Sequence, residues 1–170
     1  MNVALTYRTP SVADAEAVAR LYGECFDDTF AHLYKPEDLA AFHASVGPEK
    51  FAVELADPGF RFRLSEDGQP VGFIKLGPAE LPVETPPATI ELRQLYVLKP
   101  WQGAGVAASL MDWALGQARA AGFRHIQLNV YVDNQRAQRF YARYGFRHVG
   151  RYTFMVGNHP DEELVMRLSL

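Results

Sequence analysis

The sequence predicts a mixed α/β protein built on a strand, a small-residue loop, a helix and a second strand parallel to the first. Three observations carry this. Ile90 and Leu92, then Leu95 and Val97, are spaced by two, as in a half-buried strand. Gln102-Gly103-Ala104-Gly105-Val106-Ala107 follows, and Val106, Leu110, Met111, Ala114, Leu115 and Ala118 then recur at helical spacing until Gly122. His125–Val132 alternates again, with Ile126, Leu128, Val130 and Val132 facing in and His125, Gln127 and Asn129 facing out. Strands joined through a helix run parallel.

The alternation in the first of these strands slips by one where Arg93 and Gln94 stand side by side. One extra residue does this, so a β-bulge is expected near Arg93–Gln94. A bulge bends the strand away from its neighbour and leaves backbone N–H and C=O groups in need of a partner, which a ligand can supply. The glycines after Lys99-Pro100 let a ligand approach the backbone closely. They also sit at a helix N-terminus, where free N–H groups and the positive end of the helix dipole favour an anion such as phosphate.

From the N-terminus, Val3–Arg8 reads as a strand and Ser11-Val12-Ala13-Asp14 as a capping box. Val18, Leu21, Tyr22, Cys25 and Phe26 make one helical face, so Cys25 is read as core packing. Pro36 opens a second helix, with Leu39, Phe42 and Val46 inward and Gly47-Pro48 as its stop. Phe51 and Leu55 add one or two further turns before Asp57-Pro58-Gly59. Phe60–Leu64 and Val71–Leu76 flank Asp67-Gly68 as a hairpin. Gly77–Ala88, with four prolines, is a loop. Asp133 or Asn134 caps a helix whose inner face is Ala137, Phe140, Tyr141 and Tyr144, stopped by Gly145. Phe146–Val156 and Glu163–Leu168 are the final strands, joined around Gly157-Asn158-His159-Pro160.

With 170 residues, 48% of them hydrophobic, the chain has the size and apolar content of one domain, residues 1–170. A net charge of −3 argues against a nucleic-acid partner. No apolar run approaches the ~20 residues of a membrane span, and the N-terminus lacks a signal-peptide pattern. The single cysteine forms no internal disulfide and no Cys/His cluster has zinc spacing, so no metal is expected. The expected location is cytoplasmic, with no membrane partner; oligomeric state stays open, a homodimer included.

Two motifs then match a known family. Gln102-x-x-Gly105-x-Ala107 resembles the acyl-CoA loop, Q/R-x-x-G-x-G/A, of the GCN5-related N-acetyltransferases (GNAT), and ELRQLYV (residues 91–97) resembles their fourth strand. Asn134-x-x-Ala137-x-x-Phe140-Tyr141-x-x-x-Gly145-Phe146 is similar to their second signature. Both lie in the right order and together span about Ile90–Arg147. More loosely, residues 24–30 and 154–166 resemble the polyamine (spermidine/spermine) acetyltransferase branch. The resemblance implies the GNAT fold, an α+β arrangement with a twisted mixed sheet of about seven strands, strands four and five splayed apart, and flanking helices. It also implies an acyltransferase that moves an acetyl group from acetyl-CoA to a primary amine by direct attack in a ternary complex. The acceptor it favours is a small amine or a polyamine.

The same resemblance assigns residues. Pantetheine would pair with the backbone of Leu95, Tyr96 and Val97. The pyrophosphate would sit on the backbone N–H groups of Gly103, Ala104, Gly105, Val106, Ala107 and Ala108, with Gln102 capping and hydrogen-bonding beside them. Asn134, Ala137 and Tyr141 would complete the cofactor site. Gln102 stands where an Arg is common, so phosphate binding leans on backbone and dipole; Arg136, Arg139 and Arg143 are the nearby cations. Tyr141 is the expected proton donor to the leaving thiolate, a phenol of pKa about 10 beside a thiol of about 8.5. Glu91 is the expected base, directly or through a water. A backbone N–H, that of Val97, is the expected oxyanion donor. Apart from the resemblance, the aromatics between Asp27 and Tyr34, Phe30 and Tyr34 among them, are expected with Glu91 to line the acceptor mouth.

Other readings compete. Gly103-x-Gly105-x-x-Ala108 also fits a dinucleotide-binding loop, but only one strand–helix–strand unit is visible and the Phe140-Tyr141 helix goes unexplained. A non-catalytic acyl-CoA sensor would keep the loop and lose the chemistry. A protein N-terminal or lysine acetyltransferase would share every motif. An acidic tunnel near Asp27, Asp28 and Glu91 favours polyamine; an open groove favours peptide.

Overall fold

The computed structural model describes residues 4–170. The strands are β1 (Thr6–Arg8), β2 (Arg61–Glu66), β3 (Pro70–Pro78), β4 (Thr89–Val97), β5 (His125–Tyr131), β6 (Arg147–Val156) and β7 (His159–Ser169). The helices are α1 (Ala15–Phe30), α2 (Pro36–Ser45), α3 (Pro48–Ala56), α4 (Val106–Ala120) and α5 (Gln135–Arg143). The strands form one seven-stranded sheet in the order β1-β2-β3-β4-β5-β7-β6. β4 and β5 are parallel; the other neighbours are antiparallel.

Two cores follow from the pleat. On one face Ile90, Leu92, Ile126, Leu128, Val130, Leu164 and Met166 pack against α4 and Tyr141 of α5. Ala114 and Ala118 are fully buried there beside Leu110 and Met111, so small residues bring α4 close to the sheet. On the other face Phe62, Leu64 and Phe73 meet α1, Phe42 of α2 and Phe51 of α3. A buried ion pair ties this face to β3: Lys75 Nζ lies 2.6 Å from Glu54 Oε2.

The expected bulge is present. Lys75 pairs with Gln94 and Leu76 with Leu92, so Arg93 is the extra residue. β4 pairs with β5 only from Thr89 to Glu91, against His125 to Gln127. Beyond that the two strands part.

Several boundaries differ from the sequence reading. The first strand is Thr6–Arg8, and Val3 lies outside the described residues. Gly47-Pro48 does not only end α2: Pro48 is the first residue of α3, where its missing N–H costs nothing. Gly77 and Pro78 belong to β3 and not to the loop. The last strand begins at His159, four residues earlier than read, and the connection is the short turn Gly157-Asn158. Pro160 is tolerated because β5 pairs with β7 only from Glu163 onward, so the strand's other edge is free there. Gln127, expected to face solvent, is fully buried.

Candidate active site

The parting of β4 and β5 opens a cavity of about 1030 Å³. Its walls include β4 from Glu91 to Val97, the loop before α4, Asn129–Tyr131 of β5, the α5 face with Asn134, Ala137 and Tyr141, and Phe30 and Tyr34. Nearly all the residues expected at the site therefore meet in one place. Two do not reach the wall with their side chains. Val106 is buried in the α4 core, and Ala104 is exposed on the loop outside the cavity lining. Any service these two give a cofactor is through the backbone. Asp27 and Asp28 are not on the wall; Asp27 Oδ1 instead holds His43 Nε2 at 2.6 Å.

Strand geometry sets the free backbone groups. The Leu98 N–H bonds Val71 O at 2.8 Å, toward β3. Backbone groups alternate sides along an antiparallel edge, so Val97 and Leu95 turn their N–H groups away from β3, into the gap. Gln102 Nε2 donates to Val97 O at 3.1 Å, which caps the upper end of that edge. Gln102 Oε1 in turn accepts from Arg136 Nη1 at 2.6 Å. The residue that carries no charge itself thus holds a cation from α5 beside the loop.

The loop suits an anion. Gly103 and Gly105 have φ of +81° and +83°, a backbone that L side chains rarely adopt, and open space where a Cβ would stand. Gly105 caps α4, whose first N–H groups point outward. The groups present fit a coenzyme A arm and its diphosphate: an unpaired strand edge, an anion-ready helix start, and small residues between them.

Tyr141 is buried, and burial alone pushes its phenol above the ordinary range, which keeps the proton on it. Asn134 caps α5, its side chain accepting the Ala137 N–H at 3.2 Å. The Glu91 carboxylate is heavily engaged. Oε2 accepts the Glu80 and Leu81 N–H groups at 2.8 and 3.1 Å, and Arg93 Nε lies 3.3 Å from Oε1. Gln127 stands beside it, its Oε1 accepting from Arg167, which also reaches Glu84 O at 2.7 Å. These bonds fasten the proline-rich loop over β4 and β5, and that cover is why Gln127 is buried.

The sequence reading missed Asp161 and Glu163. Both are buried on β7 and line the cavity. Asp161 is bonded by the Tyr34 hydroxyl through Oδ2 and has His159 Nδ1 at 3.1 Å from Oδ1. Asn129, given no role from the sequence, donates to Glu163 Oε2 at 3.2 Å. Burial raises the Glu163 carboxyl to about 7; the Asn129 bond opposes it, and the nearby Asp161 charge adds a lesser push upward. The signal was there: Asp161, Glu163 and Val165 alternate on one strand face, but Pro160 disguised the strand.

Residues 15–146 match the profile of the acetyltransferase (GNAT) family. The chain belongs to the GNAT family. An uncharacterized N-acetyltransferase of Mycobacterium tuberculosis is 34% identical over 157 residues, 91% of this chain and 97% of that one. The aminoalkylphosphonate N-acetyltransferase of Salmonella typhimurium is 33% identical over 98 residues, 57% of this chain and 63% of the relative. In fold, this GNAT chain resembles the PaiA N-acetyltransferase of Thermoplasma acidophilum, solved with coenzyme A. The TM-score is 0.78 at 19% identity, over 98% of this chain and 99% of that one. The GNAT chain is accordingly an acyltransferase, an N-acetyltransferase that uses acetyl-CoA. Among the described residues no helix is long and apolar enough to cross a membrane.

Proposed function

We propose that this N-acetyltransferase, acting as one domain in the cytoplasm, acetylates a small cationic primary amine, polyamines included. The acceptor attacks directly in a ternary complex. The observation that carries this reading is the acidic, aromatic end of the cavity, where Asp161 and Glu163 lie among Phe30, Tyr34 and Tyr131. Buried carboxylates attract an ammonium strongly, because little water screens them. The Phe30 and Tyr131 rings meet edge to face at 6.0 Å and wall that end beside α1.

In this reading the Val97 N–H, facing the gap, holds the thioester oxygen as charge develops on it. The Tyr141 hydroxyl donates its proton to the departing sulfur. Arg136, steadied by Gln102, meets phosphate at the mouth. Glu91 holds the loop that roofs the site. The Salmonella relative's name points to a different acceptor, one carrying a phosphonate; the two buried carboxylates oppose an anion at this end of the cavity.

An acceptor screen with acetyl-CoA and release of free thiol tests the proposal. Primary amines and diamines should be acetylated well above the background thioester hydrolysis. Acetylation of aminoalkylphosphonates or peptide N-termini alone would overturn it.

A further inference from the structure

We propose that Glu163 is the catalytic base, the group that takes the acceptor's proton, and that Asn129 is the residue that positions it. This rests on the N-acetyltransferase reading above and names a residue that the family motifs do not contain.

The geometry singles out Glu163 among the carboxylates of the cavity. Glu91 Oε2 accepts two loop N–H groups, and Arg93 lies against Oε1. Asp161 gives Oδ2 to the Tyr34 hydroxyl, and its Oδ1, 3.1 Å from His159 Nδ1, is sealed away from the cavity without a hydrogen bond. Glu163 has one anchored oxygen, Oε2, held by Asn129. Its Oε1 has no protein hydrogen-bond partner among the described residues and is not sealed from the cavity. Asn129 itself stands on β5 at the open end of the gap, where β4 no longer pairs. The strand that loses its neighbour therefore supplies the group that aims the carboxylate.

The surroundings keep the proton within reach. Tyr131 of β5 and Tyr152 of β6 flank Glu163 in register. Tyr34 and Tyr96 feel its charge from the chain before α2 and from β4. Asp161 is the charged neighbour on its own strand. Tyrosines offer neutral hydroxyls at working pH, so burial, the Asn129 bond and the Asp161 charge are left to set the basicity. A base works best when its pKa lies near the working pH, and Glu163 is held at about 7.

The step balances. Glu163 Oε1 takes one proton from the acceptor ammonium, leaving a neutral amine. The amine lone pair forms the C–N bond at the thioester carbonyl and the C–S bond breaks. The thiolate receives the Tyr141 proton, and the proton lost by the new amide nitrogen restores that phenol. Glu163 releases its proton to water through the open cavity. The net products are the acetamide, coenzyme A thiol and one proton.

Two readouts test this. With the fastest amine of the screen, kcat/KM should rise about tenfold per pH unit up to about 7 and then level off, as an essential base of that pKa requires. Glu163→Gln should lower kcat at least a hundredfold, remove that limb and leave the KM for acetyl-CoA unchanged. Asn129→Ala should move the limb to higher pH, a change that a packing defect alone would not produce. The second readout needs no turnover: the infrared carboxylic-acid band lost in Glu163→Gln should titrate in the parent between pH 6 and 8 on coenzyme A binding. A Glu163→Gln enzyme with kcat within threefold of the parent and the same pH limb overturns the proposal. If no amine is acetylated, the small-amine reading fails separately, and a carboxyl band titrating outside that window overturns the role of Glu163.

Discussion

The lower and upper halves of the β4–β5 junction use the same kinds of residue to opposite ends. Below, Thr89–Glu91 pairs with His125–Gln127, and Glu91 and Gln127 lie beneath the proline-rich loop that both help to hold. Above, Leu95–Val97 and Asn129–Tyr131 have no mutual ladder, and Asn129 and Glu163 form a single bond that leaves one carboxylate oxygen open. Burial alone therefore does not mark a working carboxylate. Glu91 and Glu163 are 4% and 6% exposed; what separates them is the number of donors already on each.

The largest effect should come from Tyr141→Phe in the open half. Loss of the proton donor should lower kcat about 10²–10⁴-fold, with the melting temperature and acetyl-CoA KM little changed. A matching loss of stability would mean that the Tyr141 hydroxyl serves the fold and not the reaction.

The pH dependence of stability separates the two carboxylates next. Glu163 has a folded value near 7 against an ordinary 4.5, so the folded state binds the extra proton between those values. Stability should therefore fall as pH rises through that window. Glu163→Gln cannot ionise. In denaturant titrations it should exceed the parent above pH 7, and the gap should close below pH 4.5.

In the paired half, Glu91→Ala should act on stability. It leaves the Glu80 and Leu81 N–H groups without their acceptor, a cost of about 1–3 kcal/mol. That corresponds to a melting point lower by roughly 2–4 °C per kcal/mol for a chain of this size. A pH limb that vanished in this variant while the fold held would return the base role to Glu91. The smallest effect should be at the loop: Gly105→Ala costs about 1–2 kcal/mol in the left-handed region. It should appear as a higher KM for acetyl-CoA.

Much of the fold was legible in the residues, as was the strand, loop and helix that wall one side of the cavity. The slip at Arg93–Gln94 announced the bulge because strand alternation has a strict period of two. Asn134 and Gly145 bounded α5 through ordinary capping chemistry. The illegible part lies where a distant segment changes a residue's surroundings. Gln127 read as outward because its cover, residues 79–88, has no periodicity to place it. Asp161 was missed as a site residue because Gly157 and Pro160 lengthened the apparent loop, and Glu163 read only as the first residue of the last strand. Its unusual basicity depends on burial and on Asp161, which no local spacing reveals.

The most direct test is amide hydrogen exchange along β4, with and without coenzyme A. The N–H groups of Leu95 and Val97 should exchange quickly in the free protein and become protected when coenzyme A binds, while the Thr89–Glu91 stretch is unchanged. Fast exchange at Leu95 and Val97 in the saturated complex would contradict a cofactor arm paired with the open edge of that strand.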